Sequence, residues 1–359
     1  MMRIAYIGDG GSVHNHFMLN WFVRQGHEVI LLTDTPASEL ECEVKLVAPR
    51  QGNWLRHVQA VRAIRSSLKA WKPDIVHAHN ITGYGYWGAA SGFQPLVMTA
   101  WGTDLLLQAQ ESRWVRNLVR WSLRRAQLIT ADAQSLAEEA RQLAGNRTPV
   151  RMLQWGIDLS ELNQPIDPQW KEELRGGARF VFLSNRRLRP IYNIDVIIKA
   201  FAEVAQQVRD VRLVVVGDDW QKPDLQALVQ KLGIEAQVTF TGWLDRGPLM
   251  ASLRCTDAYL SVPSSDSTPL SLLEAFAAGL PVITSDLPAL REWIVPNQNG
   301  YLTPPGDVCS LAEAMRQLAA HPDQARQVGS QNRALVDERA NRDREMSRLL
   351  SWYRELTGV

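Results

Sequence analysis

The chain of 359 residues is poor in the features that mark several large protein classes. Its three cysteines, Cys42, Cys255 and Cys309, are odd in number and far apart. They predict neither a disulfide framework nor a metal cluster, and they favour a reducing, cytoplasmic compartment. No apolar run approaches the roughly 20 residues of a membrane-spanning helix. The opening segment MMRIAYIGDGG also lacks the pattern of a cleavable signal peptide.

The chain also lacks a strong net charge, because 39 Lys and Arg against 38 Asp and Glu leave +1. Duplex nucleic acids are bound by strongly basic surfaces, so we expect no nucleic-acid partner. No Asp-x-Asp pair occurs in the sequence. Since carboxylates are the usual protein ligands of a cation that bridges phosphates, we expect no metal site and no cofactor.

What the chain has is length and a regular alternation of strand and helix patterns. Short β-branched runs alternate with longer amphipathic segments over residues 1–160 and again over 178–335. This alternation predicts an α/β protein with two doubly wound, Rossmann-like domains that face a central cleft. Segment 161–177 is rich in Pro and Gly and is predicted to be the linker. Residues 336–359 are predicted to form a C-terminal helix that packs back toward the N-terminal domain.

Two segments at predicted strand ends in the first domain are candidate binding elements. Gly10 and Gly11 belong to a GDGG turn where a ligand could approach the backbone, although an ordinary tight turn explains them equally well. The dinucleotide fingerprint needs a third glycine where this chain has Val13, so NAD binding is not favoured. His77 and His79 point to one face of a strand. A zinc site is disfavoured because the sequence offers no third ligand nearby. His79 could reach the cleft, whereas His77 suits a position in the core.

Residues 264–274 have the features of an anion-binding helix start. Thr268 suits the N-cap and Pro269 the first helical position. The first turn, which includes Leu270 and Ser271, carries no acidic residue, so a pyrophosphate would complement the helix dipole. The alternative is an ordinary capped helix.

Charged residues beside this segment complete the candidate site. Glu274 could accept hydrogen bonds from ribose hydroxyls, or it could be solvated, and Asp266 lies in the preceding loop. Arg186, Arg187 and Arg189 follow a predicted strand and could neutralise a pyrophosphate in place of a metal. A solvated loop is the alternative for these arginines.

Together these motifs resemble the retaining glycosyltransferases of family 4, which have the GT-B fold of two Rossmann-like domains. The most specific segment is Asp266-x7-Glu274 followed by AFAAGLPVI. Supporting motifs, in chain order, are Gly10-Gly11, GHEV at 26–29, His79, WGTD at 101–104, WGID at 155–158, Arg187-Leu188, FTG at 240–242, Glu292, and Asn299-Gly300.

The resemblance implies metal-independent transfer of a hexose from a nucleotide diphosphate sugar, preferably a UDP-sugar, with retention of configuration. The acceptor would be a glycan, a polysaccharide or a lipid-linked molecule. Asp266 would contact hydroxyls of the donor sugar, His79 would lie near that sugar, and Arg187 would pair with the diphosphate. The implied nucleotide-binding residues are Gly10, Gly11, Arg186, Gly242, Trp243, Thr268, Pro269, Leu270, Ser271 and Glu274, with the base at Gly242 and Trp243 and the ribose at Glu274.

This chain departs from the family pattern at two positions. Tyr192 stands where the family has a phosphate-binding lysine, and Trp101 stands where it has a histidine. The first departure keeps a catalytically weak nucleotide-sugar-binding subunit open as an alternative. A non-hydrolysing sugar-nucleotide 2-epimerase is the other alternative, because it shares the two-domain architecture.

A basic helix pattern at residues 112–126 raises a membrane contact as a further hypothesis. Arginines at 113, 116, 120 and 124 follow helical spacing beside Trp114 and Trp121. Such a helix could dock on the inner membrane face near a lipid-linked acceptor. A solvated basic face is the alternative.

Overall fold

The computed structural model describes residues 1–37, 40–50, 52, 54–145 and 147–358. The chain forms two compact units. The first contains Met1–Trp155 and Asp343–Val359, and the second contains Gly156–Arg342. None of the helices in these described ranges has both the length and the apolar composition needed to cross a membrane.

The first unit is built on a seven-stranded parallel sheet with the order β3-β2-β1-β4-β5-β6-β7. Its central strands are almost entirely buried, as expected for a parallel sheet with helices on both faces. The strands are β1 Arg3–Ile7, β2 Glu28–Thr33, β3 Glu43–Leu46, β4 Ile75–His79, β5 Leu96–Thr99, β6 Leu128–Ala131 and β7 Val150–Met152. The α-helices are Val13–Arg24, Leu55–Trp71, Tyr86–Ser91, Ala109–Glu111, Arg113–Leu123 and Gln134–Ala144, with π-helical turns at Ile81–Gly85 and Asp104–Gln108.

The second unit has a six-stranded parallel sheet with the order β10-β9-β8-β11-β12-β13. The strands are β8 Phe180–Ser184, β9 Val211–Val216, β10 Val238–Gly242, β11 Ala258–Ser261, β12 Val282–Ser285 and β13 Gly300–Thr303. The α-helices are Pro168–Arg175, Ile194–Gln207, Lys222–Leu232, Arg246–Arg254, Leu270–Ala277, Pro288–Arg291, Val308–Ala320 and Pro322–Ala340, with 3₁₀ turns at Leu159–Asn163 and Pro190–Tyr192.

Both sheets are doubly wound, which confirms the predicted fold class. In each, the chain starts on a central strand, moves outward in one direction, and then returns to add strands on the other side. The reversal creates a crevice at the carboxyl ends of the strands where it occurs, and ligands of such folds bind there. The crevice lies between β1 and β4 in the first unit and between β8 and β11 in the second.

The segment predicted to be a linker, 161–177, is instead part of the second unit. It contains helix Pro168–Arg175, and Leu162 and Leu174 are buried in the core of that unit. Asp167 begins the helix, because its side chain accepts a hydrogen bond of 2.9 Å from the amide of Gln169. The Asp-Pro pair is a helix-start signal that outweighs the high content of Pro and Gly.

The C-terminal segment also differs from the single helix predicted there. One helix ends at Ala340 and another spans Arg342–Thr357, which is largely in the first unit. Tyr353 fixes this last helix, since its buried hydroxyl is hydrogen-bonded to Tyr6 at 2.9 Å and to Nδ1 of His77 at 2.5 Å. The boundary of the C-terminal segment is therefore Asp343 rather than residue 336.

Candidate active site

The crevice of the second unit collects most of the candidate site residues. Asn185 and Arg186 directly follow β8, and the loop after β11 leads through Asp266 into helix Leu270–Ala277. Neighbouring parallel strands end at the same sheet edge, so these two segments lie side by side. The adjacency of β8 and β11 is a property of the fold that the sequence pattern alone does not determine.

Helix Leu270–Ala277 begins without a capping side chain. Its N-cap is Pro269, with φ −72° and ψ 136°, and its first turn carries no acidic residue. Within the described part of the chain, the amides of Leu270 and Ser271 donate no hydrogen bond. The prediction of Thr268 as N-cap is wrong, because its hydroxyl accepts a hydrogen bond from the Trp293 indole and the helix starts one residue later than expected. The helix start can thus offer two amides to an anion.

Arg186 is the arginine that reaches this helix start. Its side chain is buried, and its guanidinium donates to Ser271 Oγ at 2.9 Å and to Asp266 Oδ2 at 2.6 Å. Burial opposes the charge on Arg186, but the neighbouring Asp266 carboxylate raises its pKa above the ordinary value. The side chain therefore stays cationic beside the helix N-terminus.

Tyr192, which replaces the lysine of the family pattern, supports Arg186 directly. The centroid of its ring lies 4.2 Å from the guanidinium carbon. A guanidinium over an aromatic face is stabilised by the ring quadrupole. Tyr192 therefore does not supply the cation of the family's lysine. Its ring instead holds the Arg186 guanidinium in place.

Arg187 and Arg189 have a different environment from Arg186. Both are paired with Asp219, with Nε to Oδ2 distances of 3.2 Å for Arg187 and 2.6 Å for Arg189. The Arg187 side chain is 58% exposed. Contact of Arg187 with a diphosphate stays a prediction, and the arginine beside Ser271 in this structure is Arg186.

Glu274 is buried rather than solvated, and charged partners hold it. It accepts a hydrogen bond of 3.1 Å from Asn185 Nδ2 and pairs with Arg246. Arg246 also donates through Nε to Glu161 at 2.7 Å, and Glu161 in turn pairs with Arg342. Burial opposes the charge of Arg246, while the two carboxylates raise its pKa. The network holds the Glu274 carboxyl group in place beside the crevice.

Asp266 lies close to the helix start but is already engaged. Besides its ion pair with Arg186, its Oδ1 accepts a hydrogen bond of 3.1 Å from the amide of Ser267. Burial raises the pKa of Asp266, and the Arg186 charge opposes this effect. The structure thus places Asp266 where it can orient Arg186.

Gly242 and Trp243 lie at the carboxyl end of β10. Gly242 has a φ of +75°, which a glycine adopts without strain. The Trp243 side chain is 67% exposed. Arg246, three residues after Trp243, contacts Glu274 and so connects this loop with the crevice.

The glycine turn of the first unit is explained by packing. A Cβ on Gly10 would lie 2.2 Å from the carbonyl oxygen of Thr35, so only glycine fits there. Gly11 is exposed, and its amide donates to Asp9 Oδ1 at 2.9 Å. The tight-turn interpretation is sufficient for Gly10, whereas ligand contact at Gly11 stays a prediction.

His79 ends β4 and is completely buried among aromatic rings of the first unit. Its ring centroid lies 5.6 Å from Tyr6, 6.2 Å from Trp101 and 5.9 Å from Trp155. Neither ring nitrogen has a hydrogen-bond partner within the described ranges. Burial, with a contribution from His14, lowers the pKa of His79 to about 3. His79 is therefore neutral at pH 7.

This shift predicts an acid-sensitive first unit. Because the folded pKa lies below the unfolded value, the unfolded state binds more protons, and stability falls as the pH decreases from about 6.5 toward 3. His79 alone should cost about 2 kcal/mol of unfolding free energy between pH 7 and pH 5. Urea unfolding of His79→Phe should show a correspondingly smaller pH effect. Exposed His321→Phe serves as the control, and an unchanged pH effect in His79→Phe would contradict the prediction.

The described residues contain no group of three or more His, Cys, Asp or Glu side chains arranged to hold a metal ion. Arg186, the amides of Leu270 and Ser271, and the Glu274 network lie at the crevice of the second unit.

Comparison with known families agrees with this architecture. The family model for glycosyl transferases group 1 matches residues 167–335, and the model for glycosyl transferase 4-like proteins matches residues 3–133. HepE of Anabaena, solved in complex with UDP-glucose, aligns over 99% of this chain and 100% of its own, with a TM-score of 0.84 and 19% identity. The chain is a GT-B glycosyltransferase of the GT4-like type.

Curated relatives of this glycosyltransferase include several synthases and transferases. N-acetyl-alpha-D-glucosaminyl L-malate synthase of Bacillus anthracis is 26% identical over 72% of this chain and 67% of its own. The putative glycosyltransferase EpsD of Bacillus subtilis is 24% identical over 94% and 92%. Among solved structures, sucrose-phosphate synthase of Thermosynechococcus elongatus aligns over 100% of both chains, with a TM-score of 0.86 and 20% identity. These relatives do not favour the epimerase or binding-subunit alternatives.

Proposed function

We propose that this glycosyltransferase moves a hexose from a UDP-sugar to a glycan, polysaccharide or lipid-linked acceptor with retention of configuration and without a metal. One observation carries the proposal: Arg186 is buried and contacts Ser271 at the start of an uncapped helix. A guanidinium and two helix amides suit a diphosphate leaving group. The UDP and UDP-glucose bound to HepE support the choice of donor.

In the proposed reaction, the bond between the anomeric carbon and the diphosphate oxygen breaks, and its electron pair stays on UDP. The acceptor hydroxyl oxygen bonds to that carbon on the same face, and its proton passes to a phosphate oxygen of the leaving group. The chain's own task is to stabilise charge on the diphosphate. Arg186 and the amides of Leu270 and Ser271 are preorganised for that task.

Incubation of the protein with UDP-sugars and candidate acceptors tests the proposal. We expect UDP release that depends on acceptor, persists in excess EDTA, and gives a product with the anomeric configuration of the donor. Inversion of configuration would contradict the retaining mechanism. Activity that is lost with EDTA and restored by Mg²⁺ would contradict transfer without a metal. Epimerisation of the sugar in the UDP-sugar, in the absence of an acceptor, would instead favour the 2-epimerase alternative.

We also propose that helix Arg113–Leu123 provides a peripheral membrane contact. Trp114 is 72% exposed, and Arg120 and Arg124 are exposed beside a cavity of about 390 Å³. The Arg125 guanidinium lies 3.8 Å from the centroid of the Trp121 ring. Cations beside exposed indoles suit an anionic headgroup region.

Charge reversal tests the membrane contact. The double variant Arg120→Glu with Arg124→Glu should lower co-sedimentation with phosphatidylglycerol vesicles about tenfold or more at low salt, because each basic residue near such a surface contributes about 1 kcal/mol. Arg326→Glu with Arg333→Glu makes the same charge change in the second unit. Equal loss in both double variants, or no binding by the wild type, would reject a contact at this helix.

A further inference from the structure

A cavity of about 600 Å³ lies in the second unit, away from the crevice. Its walls are the turn before β13, the end of helix Val308–Ala320 and the first half of helix Pro322–Ala340. The strands of this sheet are parallel, so the amino end of β13 lies at the opposite edge from the carboxyl ends of β8 and β11. The cavity is therefore separate from the candidate active site.

The lining of this cavity is polar but without fixed charge. Its eleven residues lie within the described part of the chain, and none of them is Asp, Glu, Lys or Arg. Charged residues make up 21% of the sequence, so a lining of this size without any differs from the average surface. Six of the eleven are amides, and we call the site the amide cavity: Asn297, Gln298, Gln317, Gln324, Gln327 and Gln331.

Buried apolar side chains form the bottom of the amide cavity. Leu318 and Ala325 are each 2% exposed and belong to the core of the second unit. The half-buried ring of Tyr301 packs against the same core. All six amide residues, in contrast, are exposed. The cavity therefore combines an apolar base with a rim of hydrogen-bonding groups, as small-molecule sites commonly do.

Two buried asparagines hold the walls of the cavity together. Asn299 Oδ1 accepts a hydrogen bond of 2.8 Å from the amide of Val295, which fixes the turn before β13. Asn332, on helix Pro322–Ala340, donates through Nδ2 to the carbonyl of Asn299 at 2.8 Å. The turn and the helix are thus tied to each other. A site whose walls are already fixed loses little conformational freedom when a ligand binds.

The glutamines of helix Pro322–Ala340 share one face of that helix. Gln324, Gln327 and Gln331 are spaced by three and four residues, so their side chains lie one above the other. The neighbouring charged residues Asp323 and Arg326 pair with each other. This face of the helix therefore offers amides to a ligand, while the nearby charges are balanced.

The chemistry of this lining selects a class of ligand. An amide side chain carries both donors and an acceptor, and a sugar hydroxyl likewise donates and accepts. The C–H faces of a sugar ring are apolar, which suits the base formed by Leu318, Ala325 and Tyr301. An ionic ligand would lose its hydration here without gaining an ion pair. The lining therefore matches an uncharged carbohydrate.

We propose that the amide cavity binds an uncharged carbohydrate at a site distinct from the place of sugar transfer. Binding at the cavity requires no nucleotide sugar. Its consequence for catalysis rests on the proposed glycan acceptor: a carbohydrate chain held at the cavity stays near the enzyme, which raises the effective concentration of its other end.

Saturation-transfer NMR and equilibrium titration of the full chain test the proposal. The probes are uncharged hexasaccharides of glucose, galactose, mannose and N-acetylglucosamine, and we expect at least one to bind the wild type. Gln324→Ala with Gln331→Ala should weaken that binding about tenfold or more, because two hydrogen-bonding side chains are lost. Gln226→Ala with Gln230→Ala removes two exposed glutamines from helix Lys222–Leu232 and should leave the affinity unchanged. Thermal melting checks that each double variant keeps its fold.

Several outcomes would overturn the inference. One is equal affinity in the wild type and the cavity double variant, and another is no binding by any uncharged hexasaccharide. Competition by UDP would also overturn it, because the sugar would then occupy the crevice. Tighter binding of a galacturonate hexasaccharide, lost in the cavity double variant, would reject the uncharged class.

UDP release from UDP-sugars with acceptors separates this inference from the proposed function. Hexasaccharide binding at the amide cavity without any such release would remove the proposed function alone. Release of UDP together with unchanged hexasaccharide affinity in Gln324→Ala with Gln331→Ala would remove the carbohydrate site alone.

Discussion

Arg186→Ala should lower turnover with a UDP-sugar by about 100-fold or more, since that is a typical loss for one preorganised group that stabilises developing charge. Arg186 is held by Ser271, Asp266 and the Tyr192 ring, so its position requires no rearrangement at the moment of reaction. The measurement is steady-state release of UDP. Arg186→Lys keeps the charge but loses the forked geometry, and we expect an intermediate rate.

Two further variants decide between neighbouring arginines. Arg187→Ala carries the prediction made from the family resemblance, which also expects a loss of about 100-fold. Arg209→Ala is the control, because it removes an exposed arginine that is distant in sequence from Arg186 and Arg187. A full loss in Arg187→Ala with near-normal turnover in Arg186→Ala would show that the diphosphate contact belongs to Arg187.

Glu274→Gln should have the second large effect, on nucleotide affinity. A charged hydrogen bond to a ribose hydroxyl contributes about 1.5 to 3 kcal/mol, so the Kd for UDP should rise roughly 10- to 100-fold. The same change removes one charged partner from Arg246, so we expect a loss of about 2 kcal/mol in unfolding free energy. Calorimetry and urea unfolding measure the two effects separately.

Glu161→Gln is the matched control, because it weakens the same network from its other end. It removes a charged partner from both Arg246 and Arg342, so it should cost comparable stability while UDP affinity stays near normal. A sharper test uses 2′,3′-dideoxyuridine diphosphate. This ligand should bind the wild type more weakly than UDP does, but the two ligands should bind Glu274→Gln almost equally. If the wild type and Glu274→Gln prefer UDP over the dideoxy ligand by the same factor, the result would contradict a ribose contact at Glu274.

The local elements of the site were predictable because their signals are close in sequence. A helix start free of acidic residues can be recognised within residues 264–274, and the glycine turn lies within four positions. The missed helix Pro168–Arg175 shows the limit of such signals. Pro and Gly at its two ends suggested a linker, whereas burial of Leu174 against a distant core stabilises a helix.

The sequence by itself determined two doubly wound parallel sheets, since alternating strand and helix patterns allow few other arrangements. It also determined a helix start without acidic residues in its first turn and an acidic residue one turn beyond it. Only the tertiary structure decided which arginine reaches that helix. Adjacent residues at a strand end point to opposite sides of the sheet. The side that faces the helix depends on the position of β11 beside β8. The tertiary structure alone decided the partners of Glu274 and the docking of the last helix through Tyr353, because these contacts join residues far apart in the chain.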